Sequence, residues 1–270
     1  MCQWLVNLFK QKKGSPPLRA GDGLATVIAR ITAEHDGAFR LHSETAILVE
    51  DAFTTAHSHD DEVGLTLDML LLQGRNAHLS VWQLCQLAFV EDAATIARRL
   101  LELEITAAYV LRNKAREAHE TAGRYLAFMW RGFPANLRAL LPPNISDFWL
   151  DIERRYDALI PAGAKRWAKP WRDMFVETDN EHRYTGDYAF LSAIAHGLPD
   201  EQILNFARER IRLTPPHHVS TLLLAASSFY LRLARLWNDV HHLIDLERLG
   251  DLENRLQAAM DAMLGEPPHA

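Results

Sequence analysis

A long helical pattern without proline is the feature that most restricts the fold of this chain. It runs from Asp92 to Trp130 and reads DAATIARRLLELEITAAYVLRNKAREAHETAGRYLAFMW. Its apolar positions recur at three- and four-residue steps, at Ile96, Leu100, Leu103, Ala107 and Leu111. This spacing is the period of an α-helix and collects the apolar side chains into one stripe. Because such a stripe must pack against other apolar surface, the pattern predicts a long helix inside a larger helical assembly.

The rest of the chain predicts further helices separated by Pro- and Gly-containing breaks. These helices are expected over residues 24–55, 62–88, 147–159, 185–196, 201–212, 219–242 and 246–264. Gly74 is a candidate break within the second of them, and Asn144 or Ser146 is a candidate cap for the third. No segment shows the sustained alternation of a strand. We therefore expect an all-α protein, a bundle of long helices in a single domain.

The predicted domain organisation is simple. Residues 1–23 form a short N-terminal helix and a linker, since residues 14–23 read GSPPLRAGDG and are rich in Pro and Gly. Residues 24–264 form the helical bundle domain, and residues 265–270 a flexible tail. At 270 residues and 48% hydrophobic content, the chain is long enough to bury a sizeable core.

Charge and cysteine content limit the functional classes. A net charge of −6 and a pI of about 6.1 argue against a general nucleic-acid-binding surface, though not against a local basic patch. Cys2 and Cys85 lie far apart and form no metal or redox motif, which is typical of cytoplasmic proteins. The apolar stripe of Met1–Phe9 precedes the nearby lysines, the reverse of a secretory signal. The apolar stretch Ser220–Tyr230 is too short to cross a membrane, so we expect no membrane span.

One histidine motif suggests a metal site. His57, His59 and Asp61 match the HxHxD part of the dinuclear metallohydrolase motif. However, the flanking segments look helical, Glu62 stands where a further His would be expected, and no downstream ligand set follows. A solvated loop that caps the next helix explains the motif better. We therefore expect no metal and no obligatory cofactor.

A second candidate resembles the active-site motif of HEPN ribonucleases, in which an Arg, a polar residue and a His cooperate. Arg112, Asn113 and His119 stand in this order on the long predicted helix, and the seven-residue separation of Arg112 and His119 places them on one face. The Arg would stabilise charge on the phosphorane while the His transfers the proton of a 2′-hydroxyl group. Other Arg–His pairs in the chain have a similar spacing, so a solvated helix face remains the alternative explanation.

The most developed polar constellation involves two helical faces. Arg98, Glu102 and Tyr109 share one face of the long helix, and Tyr184, Tyr188, Ser192 and His196 follow one another at four-residue steps on a later helix. Polar groups on largely buried faces need partners, so we expect Arg98 and Glu102 to pair with Tyr188, Ser192 and His196. The cluster is either a buried structural network that fixes helix register or a site in which Glu102 orients His196 for proton transfer while Arg98 receives an anion.

These two blocks resemble a bacterial helical family catalogued as domain of unknown function 5677. The first block is IARRLLELEITAAY from Ile96 to Tyr109, and the second is Tyr184-x3-Tyr188-x2-Leu191-Ser192-x3-His196-Gly197. The resemblance spans roughly residues 24 to 240. It implies an all-helical protein and, by analogy, an association with defence and toxin-like proteins. It implies no particular reaction.

Two functional hypotheses therefore remain open. In the first, the chain is a regulatory or effector component of bacterial stress or phage defence, with an unknown protein partner or a second copy of itself as partner. In the second, it is a metal-independent HEPN-like ribonuclease acting on RNA with His and Arg. The candidate catalytic residues are Arg98, Glu102, Tyr188, Ser192 and His196. Two observations distinguish a structural from a catalytic role of the cluster. They are its exposure to solvent and the presence of His196 within hydrogen-bond reach of Glu102.

Overall fold

The computed structural model describes residues 23–54, 61–112, 115–160, 166–196 and 217–264. Over these ranges the chain forms helices packed against one another in one domain and forms no strand. The predicted all-α bundle is therefore confirmed. The predicted N-terminal helix, the His57/His59 loop, the helix over 201–212 and the tail lie outside the described residues.

Within the described residues the chain forms twelve α-helices. They are α1 Leu24–Glu34, α2 Asp36–Phe53, α3 Glu62–Gln86, α4 Val90–Leu111, α5 Ala115–Gly132, α6 Ala135–Arg138, α7 Pro143–Tyr156, α8 Trp171–Glu177, α9 Glu181–Arg183, α10 Ala189–Ala195, α11 His217–His241 and α12 Leu246–Leu264. A 3-10 turn, Asp157–Leu159, follows α7, and a π-helical turn, Tyr184–Tyr188, joins α9 to α10.

Three helices, α3, α4 and α11, form the centre of the core by packing on one another, and α11 also packs on α2 and α12. The side chains of Leu222, Leu231 and Trp237 in α11 are fully buried, as are Leu100 and Leu101 in α4. Burial of each such side chain contributes about 1.5–3 kcal/mol. The central helices therefore provide the rigid surface on which the peripheral helices are placed.

α11 is the one helix of the described ranges that is long and apolar enough to cross a membrane by length and composition. However, 61% of its apolar window is buried inside the protein, and it is surrounded by four other helices. Burial against protein explains its apolar character, since a core helix must be apolar on most sides. The described residues thus give no clear membrane span.

The helix predicted over residues 24–55 is divided at His35. The backbone of His35 leaves the helical region, with φ −121° and ψ 23°. Its Nδ1 lies 2.8 Å from Oγ of Ser220 in α11. The break separates α1 from α2, and the sequence offered only the weak helix former Gly37 as a signal.

The long helix predicted from Asp92 to Trp130 is also divided, so its predicted continuity is wrong. α4 ends at Leu111, and a separate helix starts at Ala115. α4 packs mainly on α3 and α11, whereas α5 packs on α3 and α7. One straight helix could not satisfy both sets of contacts, and tertiary packing overrides the local helix propensity here.

Two helix starts differ in how well the sequence indicated them. Asp61 caps α3, because its Oδ1 accepts a hydrogen bond of 2.7 Å from the Gly64 backbone N–H, as predicted for this loop. α7 instead starts at Pro143, after Pro142 at the N-cap position. Asn144 and Ser146 therefore lie inside the helix, and their predicted capping role is wrong. Proline is favoured in the first turn because its missing N–H has no partner to lose there.

Gly74 does not break α3, which continues through it. A Cβ atom at this position would lie 2.7 Å from Leu233 Cδ2 and 3.3 Å from Tyr230 Cδ2, both in α11. The glycine therefore allows α3 and α11 to approach closely, and a Cβ atom here would require the Leu233 and Tyr230 side chains to shift.

We predict that Gly74→Ala lowers the free energy of unfolding by up to about 2 kcal/mol, because overpacking of α3 against α11, about 1–3 kcal/mol, outweighs the helix-propensity gain of up to about 1 kcal/mol. Gly250→Ala in α12 is the matched control, since a Cβ there meets nothing within 4 Å. The control should raise stability by up to about 1 kcal/mol through helix propensity. Urea unfolding measures both, and a Gly74→Ala protein as stable as wild type would contradict the packing.

Candidate functional site

The predicted polar constellation lies where α10 packs on α4. Leu191 and Ile194 of α10 are buried in this contact. The π-helical turn before α10 places the rings of Tyr184 and Tyr188 in a stack, with centroids 5.2 Å apart. Both rings meet the fully buried Phe175 edge-on. π-helical turns insert one extra residue into a helix and occur frequently at functional sites. The segment that carries Tyr184 and Tyr188 is therefore a candidate functional segment.

Four of the five predicted site residues come together in what we call the α4–α10 cluster: Arg98, Glu102, Tyr188 and Ser192. The Tyr188 hydroxyl donates to Glu102 Oε1 at 3.4 Å, and Arg98 Nη1 donates to Ser192 Oγ at 3.5 Å. The Arg98 guanidinium carbon lies 5.7 Å from the centroid of the Tyr188 ring. These contacts are longer than the usual hydrogen bond, so they align two helices more than they bind them tightly.

His196 does not join the cluster. It lies at the C-cap of α10 and is exposed. Among the described residues the structure shows no hydrogen bond between its ring and Glu102 or Arg98. The predicted pairing of Glu102 with His196 is therefore not formed, and of the two alternatives for the cluster the one with a buried His196 does not apply.

Glu102 has a different second partner. Its Oε2 accepts a hydrogen bond from Arg99 Nη1 at 3.4 Å, and its side chain is only 13% exposed. Burial and then the Glu102 charge raise the pKa of Tyr188 above its ordinary value. The Tyr188 hydroxyl is therefore held in its protonated form and serves as a hydrogen-bond donor rather than as a base.

The residues of the HEPN-like motif do not form a pair. Arg112 follows the end of α4, binds Glu177 of α8 and stacks 3.9 Å from the centroid of the Tyr109 ring. His119 lies on α5, where its Nδ1 is 3.2 Å from Glu62 Oε2. The predicted shared helix face is absent because the helix ends between them. Asn113 lies outside the described residues.

Sequence reasoning missed a buried ion pair next to the cluster. Arg183 of α9 binds Glu104 of α4 through both nitrogens of its guanidinium fork, with Nη2 2.7 Å from Oε2. Each side chain is only 6% exposed. Arg183 Nε also donates to Asp187 Oδ2 at 3.2 Å. The available signal was the position of Glu104 on the apolar stripe of α4, one helical turn after the buried Leu100 and Leu101.

A second missed feature is a histidine stack in the core. The rings of His42 and His78 lie parallel with centroids 3.4 Å apart. His42 Nε2 donates to the His78 carbonyl oxygen at 3.0 Å, and Ser227 Oγ lies 2.9 Å from His42 Nδ1. All three side chains are buried. This arrangement of Ser and His resembles a nucleophile with its base, but neither side chain can meet a substrate without unfolding of the core.

Burial keeps both imidazoles neutral. It lowers the pKa of His42 to about 4 and, together with the neighbouring His42 ring, holds the pKa of His78 well below its ordinary value. The Ser227 hydroxyl donates to the Leu223 carbonyl oxygen at 2.8 Å, and its oxygen lies beside Nδ1 of a neutral His42 that donates from Nε2. The stack is thus a hydrogen-bonded structural element that requires neutral rings.

Metal ligation finds no support in the described ranges, where no group of three His, Cys, Asp or Glu residues is arranged to hold an ion. His57 and His59 of the metallohydrolase-like motif lie outside them. Cys85 is buried, and burial raises the pKa of its thiol to about 12. This thiol therefore behaves as a small core side chain.

We predict that Glu104→Gln lowers the free energy of unfolding by about 3–5 kcal/mol, because it leaves the buried Arg183 charge without its main partner. Glu120→Gln is the control, since Glu120 is half exposed and pairs with the solvated Arg116, and should change stability by less than about 1 kcal/mol. Denaturant unfolding compares the two. Equal effects would show that Glu104 and Arg183 are not paired in the interior.

We also predict that acid destabilises the fold between pH 6.5 and 4. The pKa of His42 is depressed in the folded protein, so in this window the unfolded chain binds a proton that the folded chain excludes. Stability is fully present above the ordinary His pKa and is lost as pH falls towards about 4. The loss from His42 alone is about 3 kcal/mol. His42→Gln should remove this part of the slope in urea unfolding at stepped pH, and an unchanged slope would contradict the assignment.

No protein-family model, no curated protein and no solved structure matches this chain. The resemblance to domain of unknown function 5677 therefore stays a prediction.

Proposed function

We propose that this chain is a regulatory or effector protein of bacterial stress or phage defence that acts by binding rather than by catalysis. The observation that supports this most is the composition of the α4–α10 cluster. It joins two helices through Glu102–Tyr188 and Arg98–Ser192 contacts, while the one imidazole predicted for it lies exposed at the end of α10. The defence setting comes from the family resemblance alone.

The chemistry of the α4–α10 cluster favours a structural role. Proton transfer by a side chain requires a group that can change protonation near neutral pH and lies within hydrogen-bond reach of the reacting atom. Tyr188 is held protonated, and the Glu102 carboxylate is already engaged by Tyr188 and Arg99. The same contacts position α10 and the π-helical turn on α4, which is what a structural cluster requires.

The ribonuclease hypothesis loses its geometric basis at both candidate sites. Arg112 and His119 bind different carboxylates on different helices, and His196 lies outside the cluster. A HEPN-like reaction needs an Arg and a His that reach one phosphate together. We therefore do not extend the proposal to RNA cleavage. A homodimer, considered from the sequence, stays a prediction that sedimentation of the purified protein can test.

The proposal predicts that purified protein leaves a mixed RNA pool intact between about pH 5 and 8, where His acid–base chemistry operates. His196→Ala should also leave the melting temperature nearly unchanged, because surface substitutions shift stability by less than about 0.5 kcal/mol. Cleavage of the RNA pool that disappears in both His196→Ala and Glu102→Gln, with folding intact, would overturn the non-catalytic assignment.

The defence setting is tested by plating phages on bacteria that express the chain. Wild type should lower plating efficiency relative to an empty vector, and Glu102→Gln and His196→Ala should protect as well as wild type. Glu104→Gln, which disturbs the fold, should lose protection. No protection against any phage in the panel would overturn the defence role, and loss of protection in both well-folded variants would overturn the binding mechanism.

A further inference from the structure

We propose that a cavity beside the α4–α10 cluster binds a free nucleoside monophosphate, with the base inside and the phosphate at the rim. The cavity has a volume of about 190 Å³ and lies between α4, α5 and the segment from Arg166 to Met174. Its lining includes three aromatic residues that carry the argument, Tyr125, Phe128 and Trp167, and three cations, Arg99, Arg166 and Lys169. This inference rests on the cavity itself and goes beyond the proposed function.

The volume fits one aromatic ring system. A cavity of roughly 150 Å³ lined by apolar side chains accommodates benzene, so the present one admits a ring of that size or somewhat larger. Trp167 is held in place by edge-on contacts with Tyr125 and Tyr109, at centroid distances of 5.1 and 5.9 Å. A fixed aromatic wall binds a planar ligand at low entropic cost, since its side chains are already ordered.

Three cations line the cavity of a chain whose net charge is negative. None of the described residues that line the cavity is acidic. Arg99 and Lys169 are held from outside the lining by Glu102 and Glu177. Arg166 is exposed and forms no ion pair within the described part of the chain. Three cations beside an aromatic wall favour a ligand that combines a ring with a phosphate.

A buried hydroxyl provides a polar contact for the base. Tyr125 is only 3% exposed, and its hydroxyl oxygen accepts a hydrogen bond of 3.4 Å from Gln73 Nε2. Burial raises the pKa of Tyr125, so the hydroxyl keeps its proton. No described residue accepts that proton, which leaves it for an acceptor atom on the edge of a base.

The cavity is connected to the α4–α10 cluster through Arg99. This side chain donates to Glu102 Oε2 at 3.4 Å and to Oε1 of Gln73 at 3.3 Å, and Gln73 in turn donates to Tyr125 of the cavity lining. A phosphate at the rim competes with Glu102 for the guanidinium, because both are anionic acceptors. Ligand binding would therefore alter the Arg99–Glu102 contact, and through this one side chain the contact between α4 and α10.

The experiment is calorimetric titration of the full-length protein with AMP, UMP, adenosine, inorganic phosphate and a short single-stranded RNA. AMP or UMP should bind with a Kd between about 1 µM and 1 mM, and adenosine or phosphate alone should bind about tenfold more weakly or worse. Arg166→Gln and Lys169→Gln, at exposed positions, should each weaken nucleotide binding about tenfold and leave adenosine binding unchanged. Trp167→Leu should weaken both.

Arg116→Gln is the matched control, because Arg116 is 93% exposed on α5 and does not line the cavity. It should bind nucleotide as wild type does. The proposal is overturned if no ligand binds at millimolar concentration, or if the control weakens binding as much as Arg166→Gln does. If phosphate binds as tightly as AMP, the cavity does not recognise the base, and the proposal is wrong. If adenosine binds as tightly as AMP, the cations do not recognise the phosphate, and the proposal is also wrong. Much tighter binding of the RNA would show that the ligand is a single strand, which contradicts the proposal of a free nucleotide.

Discussion

The buried ion pair between Glu104 and Arg183 is the constraint on which the candidate site depends. Two charges taken out of water cost several kcal/mol each unless they meet in a well-formed pair, and here each side chain is 6% exposed. The pair can form only when α9 lies at one place on α4. The π-helical turn and α10 directly follow α9 in the chain. The ion pair therefore fixes where Tyr188 and Ser192 contact α4.

Many of the polar and charged side chains described above are buried and stabilise the fold. The His42/His78 stack and the Glu104/Arg183 pair use opposite solutions to burial, since the imidazoles give up their charge whereas the ion pair keeps it. Side chains of the same types become functional candidates only where solvent or a ligand can reach them. In the described residues that condition is met best at the cavity, where Arg166 and Lys169 are exposed beside a fixed aromatic wall.

The apolar periodicity was sufficient to predict the all-α fold and most of its helices, because amphipathic helices carry their packing pattern locally. It could not predict the break at Arg112, since that break comes from the different partners of α4 and α5 and not from a Pro or Gly. Gly74 showed the opposite error. Gly74 lies inside a continuous helix, where its lack of a side chain permits the close packing of α3 and α11. The local sequence pattern contains no information about this contact.

The candidate site was predictable in part for a related reason. Four-residue spacing predicted that Arg98, Glu102, Tyr188 and Ser192 lie together, because side-chain direction follows from helix geometry; they do so, although Tyr188 lies in the π-helical turn. The same spacing placed His196 with them, but spacing does not show where a contact ends. The cavity was not predictable at all, since Arg99, Tyr125 and Trp167 come from distant parts of the chain that only the fold brings together.

The most direct test of this account is a pair of double-mutant cycles measured by denaturant unfolding. One cycle combines Glu104→Gln with Arg183→Gln, and the other combines Glu102→Gln with His196→Ala. The account predicts a coupling energy of at least about 2 kcal/mol for the buried pair and a value within about 0.5 kcal/mol of zero for Glu102 and His196. A strong coupling between Glu102 and His196, with none between Glu104 and Arg183, would contradict it.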